Sequence, residues 1–148
     1  MIIVDSNVLM DVLQNNPLWI DWSVHQLTAQ ARIHELAINP IVYAELSIMY
    51  ESLHVLDDEI AGMELQLEEM PRAALFLAGK AYRSYRRYHG GAKHNVLPDF
   101  FIGAHAAVAD CALLTRDPRR YRTYFPTVEL ITPETAKGYS VHEPAPAY

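Results

Sequence analysis

The feature that most constrains this chain is its opening stretch, MIIVDSNVLMD. Ile2, Ile3 and Val4 form a short apolar run, which reads as a strand buried on both faces and therefore as part of a parallel sheet. Asp5 follows at once, and Ser6 and Asn7 open an apolar-periodic segment made by Val8, Leu9, Val12 and Leu13. A strand feeding a helix puts Asp5 on the edge where open α/β sheets bind ligands. The plainer reading is that Asp5 or Ser6 only caps the helix. What separates the two is whether other acids converge on Asp5.

The alternation continues along the chain. A turn at Asn15-Asn16-Pro17 precedes a helix over 18–34, with Trp19, Trp22, Leu27 and Ile33 among its apolar members. Leu36-Ala37-Ile38 is a second short strand, and Asn39-Pro40 starts a helix that runs through IVYAELSIMY, with Asn as cap and Pro at the first position. An acidic amphipathic helix is expected over 57–67 and a third short strand near 65–70. Pro71 precedes a helix over 72–88 with Leu75, Ala78, Tyr82 and Tyr85 as its apolar stripe and Lys80, Arg83 and Arg87 on another face. Gly90-Gly91 stops it, and a loop covers 90–97. Pro98 starts the helix PDFFIGAHAAVAD, in which Gly103, Ala104, Ala106, Ala107 and Ala109 permit close approach to a sheet. Then come the strand Ala112-Leu113-Leu114, a helical turn over 119–124, a last strand over 128–131 and a loose tail over 141–148. Strands alternating with helices predict a parallel sheet covered on both faces, in a single domain spanning 1–140.

At 148 residues the chain can bury a sizeable core. Its apolar runs are too short to span a membrane, and no signal peptide is visible. The lone cysteine, Cys111, excludes an intrachain disulfide and reads as a small core residue. These features point to the cytoplasm. The net charge of −6 argues against a polyanionic partner, but its distribution does not. Residues 1–79 carry twelve acids and two cations, whereas 80–122 carry nine of the twelve cations and three acids. The basic faces, Lys80, Arg83, Arg86, Arg87 and Lys93 and then Arg116, Arg119, Arg120 and Arg122, can attract a nucleic acid, or they can be plain solvated helix faces.

Three further acids stand out. Glu45 shares a helical stripe with Ile41, Ile48 and Met49, where a carboxylate is costly unless it is paired or binds a metal. The plainer alternative is a partly exposed edge position. Asp99 lies in the first turn of its helix, where the dipole favours an acid anyway, yet Ile102, Gly103 and Ala106 share its face and turn it toward the sheet. Asp117 follows the strand ALL by two residues and repeats the Asp5 pattern, although an acid before Pro118 is also common in turns. Jointly these plainer readings weaken, because all four acids can meet at one sheet edge. Two such charges ~4 Å apart cost about 4 kcal/mol at an effective dielectric of ~20. A cluster of four must therefore bind protons or a divalent cation. An all-oxygen donor set suits magnesium or manganese, which can activate water against a phosphodiester. No Gly-rich phosphate loop is present and the seven histidines form no zinc pattern.

The segments IVDSNVLMD, YAEL, PDFFIGAHA and LLTRDPRRY together resemble the PIN-domain nucleases, and more closely the VapC-type toxins of toxin–antitoxin pairs. The resemblance covers nearly the whole chain, with the motifs in order. It implies an α/β fold, a three-layer α/β/α sandwich around a central, mainly parallel five-stranded sheet, and a Mg2+- or Mn2+-dependent endoribonuclease. The family's acids map onto Asp5, Glu45, Asp99 and Asp117, with Asn7 and Thr115 as the small polar residues beside them. It also implies homodimers and a tight complex with a cognate antitoxin. Asp5, Asp99 and Asp117 would hold the cation, and Glu45 would be a further ligand or would orient the attacking water. Lys80, Arg83, Arg87, Arg116, Arg119 and Arg120 would hold RNA phosphates. Two rivals stay open. One is a phosphatase with Asp5 as nucleophile, which ordinarily wants a second acid two residues on, where this chain has Asn7. The other is a non-catalytic nucleic-acid- or protein-binding module.

Overall fold

Three consecutive apolar residues make each of the central strands, and their burial on both faces sets the architecture. In the computed structural model, which describes residues 1–89 and 96–134, these are Ile2–Val4 (β1), Leu36–Ile38 (β2) and Ala112–Leu114 (β4). Gln66–Leu67 (β3) and Leu130–Ile131 (β5) complete the sheet at its edges. The helices between them are Ser6–Leu13 (α1), Ile20–Ala31 (α2), Pro40–Ser47 (α3), Leu53–Gly62 (α4), Arg72–His89 (α5), Leu97–Ala109 (α6) and Arg119–Tyr124 (α7). Gly90-Gly91, Lys93, most of the expected loop and the tail over 141–148 lie outside the described residues.

All four strand pairings are parallel, in the order β3-β2-β1-β4-β5. Ile3 pairs with Ala37 on one side and with Leu113 on the other. The chain thus steps outward from β1 through β2 to β3, then crosses back to β4 and β5. That reversal opens a crevice at the C-terminal ends of β1 and β4, the position where such sheets hold ligands. Asp5 and Thr115 are the residues that leave the sheet there.

Helix packing closes both faces of the α/β/α sandwich. α1 lies against α2 and α3, and α6 lies against α3, α5 and α7. An aromatic cluster joins α5, α6 and α7, with Phe100 centred 5.2–6.1 Å from Tyr82, Tyr85, Tyr124 and Phe125. Gly103 makes room for this cluster. A Cβ there would sit 2.4 Å from the Phe125 ring, so this glycine admits a side chain from the end of α7 and not the sheet.

Several boundaries differ from the sequence expectation. α4 starts at Leu53 and ends at Gly62, because the Ser52 hydroxyl accepts from the Val55 N–H and the chain turns left-handed at Glu64 (φ 57°). The acidic run over 57–59 is the exposed side of this helix and not its start. α3 stops at Ser47, short of the expected end. On α5 the buried stripe is Ala74, Ala78 and Tyr85, and Leu75 is exposed. α2 begins at Ile20, and Ile33 lies beyond its end in the open. Among the described residues, no helix is long and apolar enough to cross a membrane.

Candidate active site

Asp5 occupies the N-cap position of α1 in extended backbone, but its side chain makes no capping hydrogen bond. The carboxylate instead turns into the β1–β4 crevice, where it is 3% exposed. Its Oδ2 accepts from the Tyr121 hydroxyl (2.8 Å), from Thr115 Oγ1 (2.9 Å) and, at longer range, from Asn7 Nδ2 (3.5 Å). Its Oδ1 lies 3.5 Å from the Ser6 hydroxyl. One oxygen is therefore saturated by neutral donors and the other has only a long side-chain contact. Burial raises the Asp5 pKa. Donors from Tyr121, Thr115 and the Ser6 backbone oppose that rise, and the Asp117 charge adds to it.

Asn7 and Thr115 are placed as expected beside this acid, and they brace each other. Asn7 Nδ2 reaches Thr115 Oγ1 at 3.3 Å, and its Oδ1 accepts from the Arg116 N–H at 3.4 Å. The same Thr115 oxygen accepts from the Asp117 N–H at 3.1 Å, which fixes the start of the loop that carries the second strand-end acid. Asp117 Oδ1 is buried with no hydrogen-bond partner among the described residues. A buried carboxylate oxygen without a donor is costly, and a cation is the natural partner for it.

Glu45 reaches the cleft by a different route from the one its spacing suggested. The fully buried face of α3 is Val42 and Leu46; of the expected stripe, Ile41 and Met49 are partly buried against the core, while Ile48 is 84% exposed. Glu45 sits at the edge of the helix and is half-buried because it extends to α1, where the Ser6 hydroxyl donates to its Oε1 at 2.9 Å. Burial raises its pKa, the Ser6 bond lowers it, and the Asp5 charge raises it again. α3 itself is aimed by Asn39, whose Oδ1 accepts from the Ile41 and Val42 amides (3.0 Å each). Asn39 Nδ2 lies 3.3 Å from His105 Nδ1, so the helices that carry Glu45 and Asp99 share one buried polar link.

Asp99 stands in the first turn of α6, above buried Ile102, Gly103 and Ala106, as its spacing predicts. The helix dipole alone would favour the carboxylate. Its pKa is nevertheless pushed up to about 7, by burial first and then by the Asp5 charge, against the pull of the Arg120 guanidinium. Arg120 Nη1 pairs with Asp99 Oδ2. The Tyr121 hydroxyl lies 3.4 Å from Asp99 Oδ1 and 2.8 Å from Asp5 Oδ2, and its single proton goes to the shorter contact. Burial and these acids raise the Tyr121 pKa, so it is a neutral donor.

The cations divide into two groups. Lys80, Arg83, Arg86, Arg87 and Arg119 are exposed on α5 and α7. Arg116 turns away from the acids, with its Nε bonded at 2.8 Å to buried Asp11 and its guanidinium 5.3 Å from the Trp19 ring. Asp11 also accepts from Ser23 (2.8 Å), so Arg116 ties the β4–α7 loop to α1 and α2. Arg122 pairs with Glu134 at the surface (2.5 Å). Sequence reasoning missed Tyr121, Ser6 and Asp11. The one available signal was that a tyrosine inside the short run RRYRTY needs a polar partner if it is buried.

As the side chains stand, no three carboxylate, imidazole or thiol groups among the described residues are gathered tightly enough to enclose a metal ion. The donor chemistry still fits a hard divalent cation: Asp5 feels the Asp117 charge, Asp99 feels Asp5 and Glu45, and Asp117 Oδ1 has no hydrogen-bond partner among the described residues.

A family model described as the PIN domain matches residues 2–126. No curated protein matches the chain. Among solved structures, the chain is similar to VapBC2 from Rickettsia felis bound to a fragment of promoter DNA, with TM-score 0.66, 20% identity and coverage of 89% of this chain and 98% of that one. It is also similar to a toxin–antitoxin complex from Klebsiella pneumoniae, with TM-score 0.62, 18% identity and coverage of 90% and 98%. A third likeness is FitAcB from Neisseria gonorrhoeae, with TM-score 0.60, 20% identity and coverage of 92% and 100%. At these identities the likeness concerns the fold.

Proposed function

The chain belongs to the PIN domain family, a family of nucleases, and from that premise we propose that it is a Mg2+- or Mn2+-dependent endoribonuclease acting as the toxin of a toxin–antitoxin pair. The observation that carries this reading is the asymmetry of the acids at the β1–β4 crevice. Asp5 Oδ2 is saturated by Tyr121 and Thr115, while Asp5 Oδ1 and the buried Asp117 Oδ1 are left without strong donors. Asp5, Asp99 and Asp117 would hold the cation, with Glu45 beside them as a further ligand or as the group that orients water. A divalent cation bound there would supply charge neutralisation and Lewis acidity at a phosphodiester.

This chain's own residues do the rest. Thr115, Asn7 and Tyr121 fix the Asp5 carboxylate in one rotamer, and Ser6 holds Glu45 toward it. The exposed cations of α5 and α7, Lys80, Arg83, Arg87 and Arg119, would bind the RNA backbone and supply affinity without reading sequence. Arg120, paired with Asp99, would act closer to the cleft, and Arg116, held by Asp11 beside Trp19, would bind RNA from the side of α1 and α2. The toxin role and an antitoxin partner rest on the fold shared with the toxin–antitoxin complexes, and a homodimer is proposed on the family resemblance.

The test is incubation with single-stranded RNA in magnesium, in manganese and in chelator, with the wild type and with Asp5→Asn. Cleavage that needs a divalent ion and falls at least a hundredfold in the variant, with RNA binding kept, supports the proposal. Cleavage in chelator, or an unaffected Asp5→Asn, defeats it.

A further inference from the structure

Arg120 is placed oddly for an RNA-binding residue. It is only partly exposed, and its guanidinium engages the Asp99 carboxylate. The pairing is local to the site. α7 begins two residues after Asp117, and its second and third residues, Arg120 and Tyr121, both turn onto the acids. With Asp99 Oδ2 committed to this guanidinium, the acids do not close into a ready-made cage, in keeping with the absence of any enclosing group of three among the described residues. The guanidinium carbon also lies 5.9 Å from the Tyr85 ring, which gives the cation a second, weaker contact.

We propose that Arg120 is the resident counterion of the acidic cleft, holding Asp99 in the metal-free protein and yielding it when a divalent cation enters. The inference rests on the metal-site reading above and adds a consequence to it: the apparent affinity for metal is set partly by a residue that is not a ligand. A guanidinium cannot be deprotonated at working pH, so its charge must be displaced from Asp99 and cannot be titrated away. Displacement is feasible because about a third of the Arg120 side chain and a quarter of the Asp99 side chain already meet solvent. The released guanidinium would keep its contact with the Tyr85 ring, close enough to the acids to meet an RNA phosphate.

The role predicts opposite signs in two measurements, which an ordinary structural ion pair does not. Manganese is titrated calorimetrically into the wild type, Arg120→Gln and Arg120→Lys, and the thermal unfolding of each protein is followed in chelator. Arg120→Gln is expected to be less stable than wild type in chelator yet to bind manganese about tenfold more tightly, with Arg120→Lys close to wild type in both. Loss of stability with unchanged or weaker manganese binding overturns the proposal and makes Arg120 a structural partner of Asp99. No change in either quantity also overturns it. If the wild type binds no manganese, both this inference and the metal-site reading fail. If only Arg120→Gln fails to fold, Arg120→Lys decides: a mobile, more strongly hydrated ammonium should yield Asp99 at least as readily, and manganese binding weakened tenfold or more would contradict the counterion role.

Discussion

Replacing Asp99 by asparagine should stabilise the metal-free protein at neutral pH. The Asp99 carboxyl is raised from 3.8 to about 7 in the folded state. A raised acid holds its proton more tightly folded than unfolded. Its favourable contribution is therefore complete below about pH 4 and is lost as pH rises through about 7, leaving the ionised form strained above that. At about 1.4 kcal/mol per pKa unit, that interval corresponds to a ceiling of about 4 kcal/mol. Two effects reduce it. The Asp99 side chain keeps 28% of its exposure, so solvent screens part of the penalty, and the amide leaves Arg120 without its carboxylate. A net gain of about 1–2 kcal/mol is expected, which for a chain of this size raises Tm by about 4 °C. The assay is thermal unfolding in chelator at pH 7.5 and again near pH 4, where the gain should vanish. Magnesium at a hundred times Kd should add about 2.7 kcal/mol to the wild type and much less to the variant. A variant less stable than wild type at pH 7.5, together with an equal magnesium shift in both, would refute the reasoning. Asp99 would then be an ordinary helix-terminus acid satisfied by Arg120.

Two further outcomes follow from the geometry. Gly103→Ala places a Cβ 2.4 Å from the Phe125 ring, so the ring or the helices must shift, and a loss of about 1–3 kcal/mol should appear in denaturant unfolding; an unchanged midpoint would mean the ring swings aside freely. Reversing Arg83 and Arg87 together to Glu should weaken RNA binding and flatten its salt dependence, by roughly 0.7 in the slope for each phosphate that is no longer neutralised. An unchanged slope would mean that this face of α5 meets a protein partner or only solvent.

The parts of the fold that are encoded locally were legible in the sequence. Each central strand is an apolar triplet, each is followed by its own punctuation, and Asn39-Pro40 caps α3 as its residue types demand. Asp5 and Asp117 were legible for the same reason, since an acid just beyond a buried parallel strand has one edge to occupy. Glu45 stood out by a periodicity that the structure keeps only in part, with Ile41 and Met49 half-buried beside it and Ile48 exposed. Val42 and Leu46 are the fully buried face of α3, and what brings the carboxylate in is a serine on another helix. Ser52 outweighed the acidic run in starting α4, because a side chain that accepts an orphan amide fixes a helix start more firmly than charge does. The partner of Tyr121 and the pairing of Arg120 were out of reach. Clustering of cations along the chain says that a basic surface exists, but which acid each one meets depends on how α7 lies against α6. That is a tertiary fact set by Phe125 filling the space above Gly103.

The central claim, that these acids together form a metal site, is tested most directly by anomalous scattering from crystals grown in manganese. One strong peak is expected between the ends of β1 and β4, within about 2.5 Å of carboxylate oxygens of Asp5 and Asp117. The Arg120 guanidinium should have moved off Asp99. No peak there under saturating manganese, or a peak bound only by surface acids elsewhere, would contradict it.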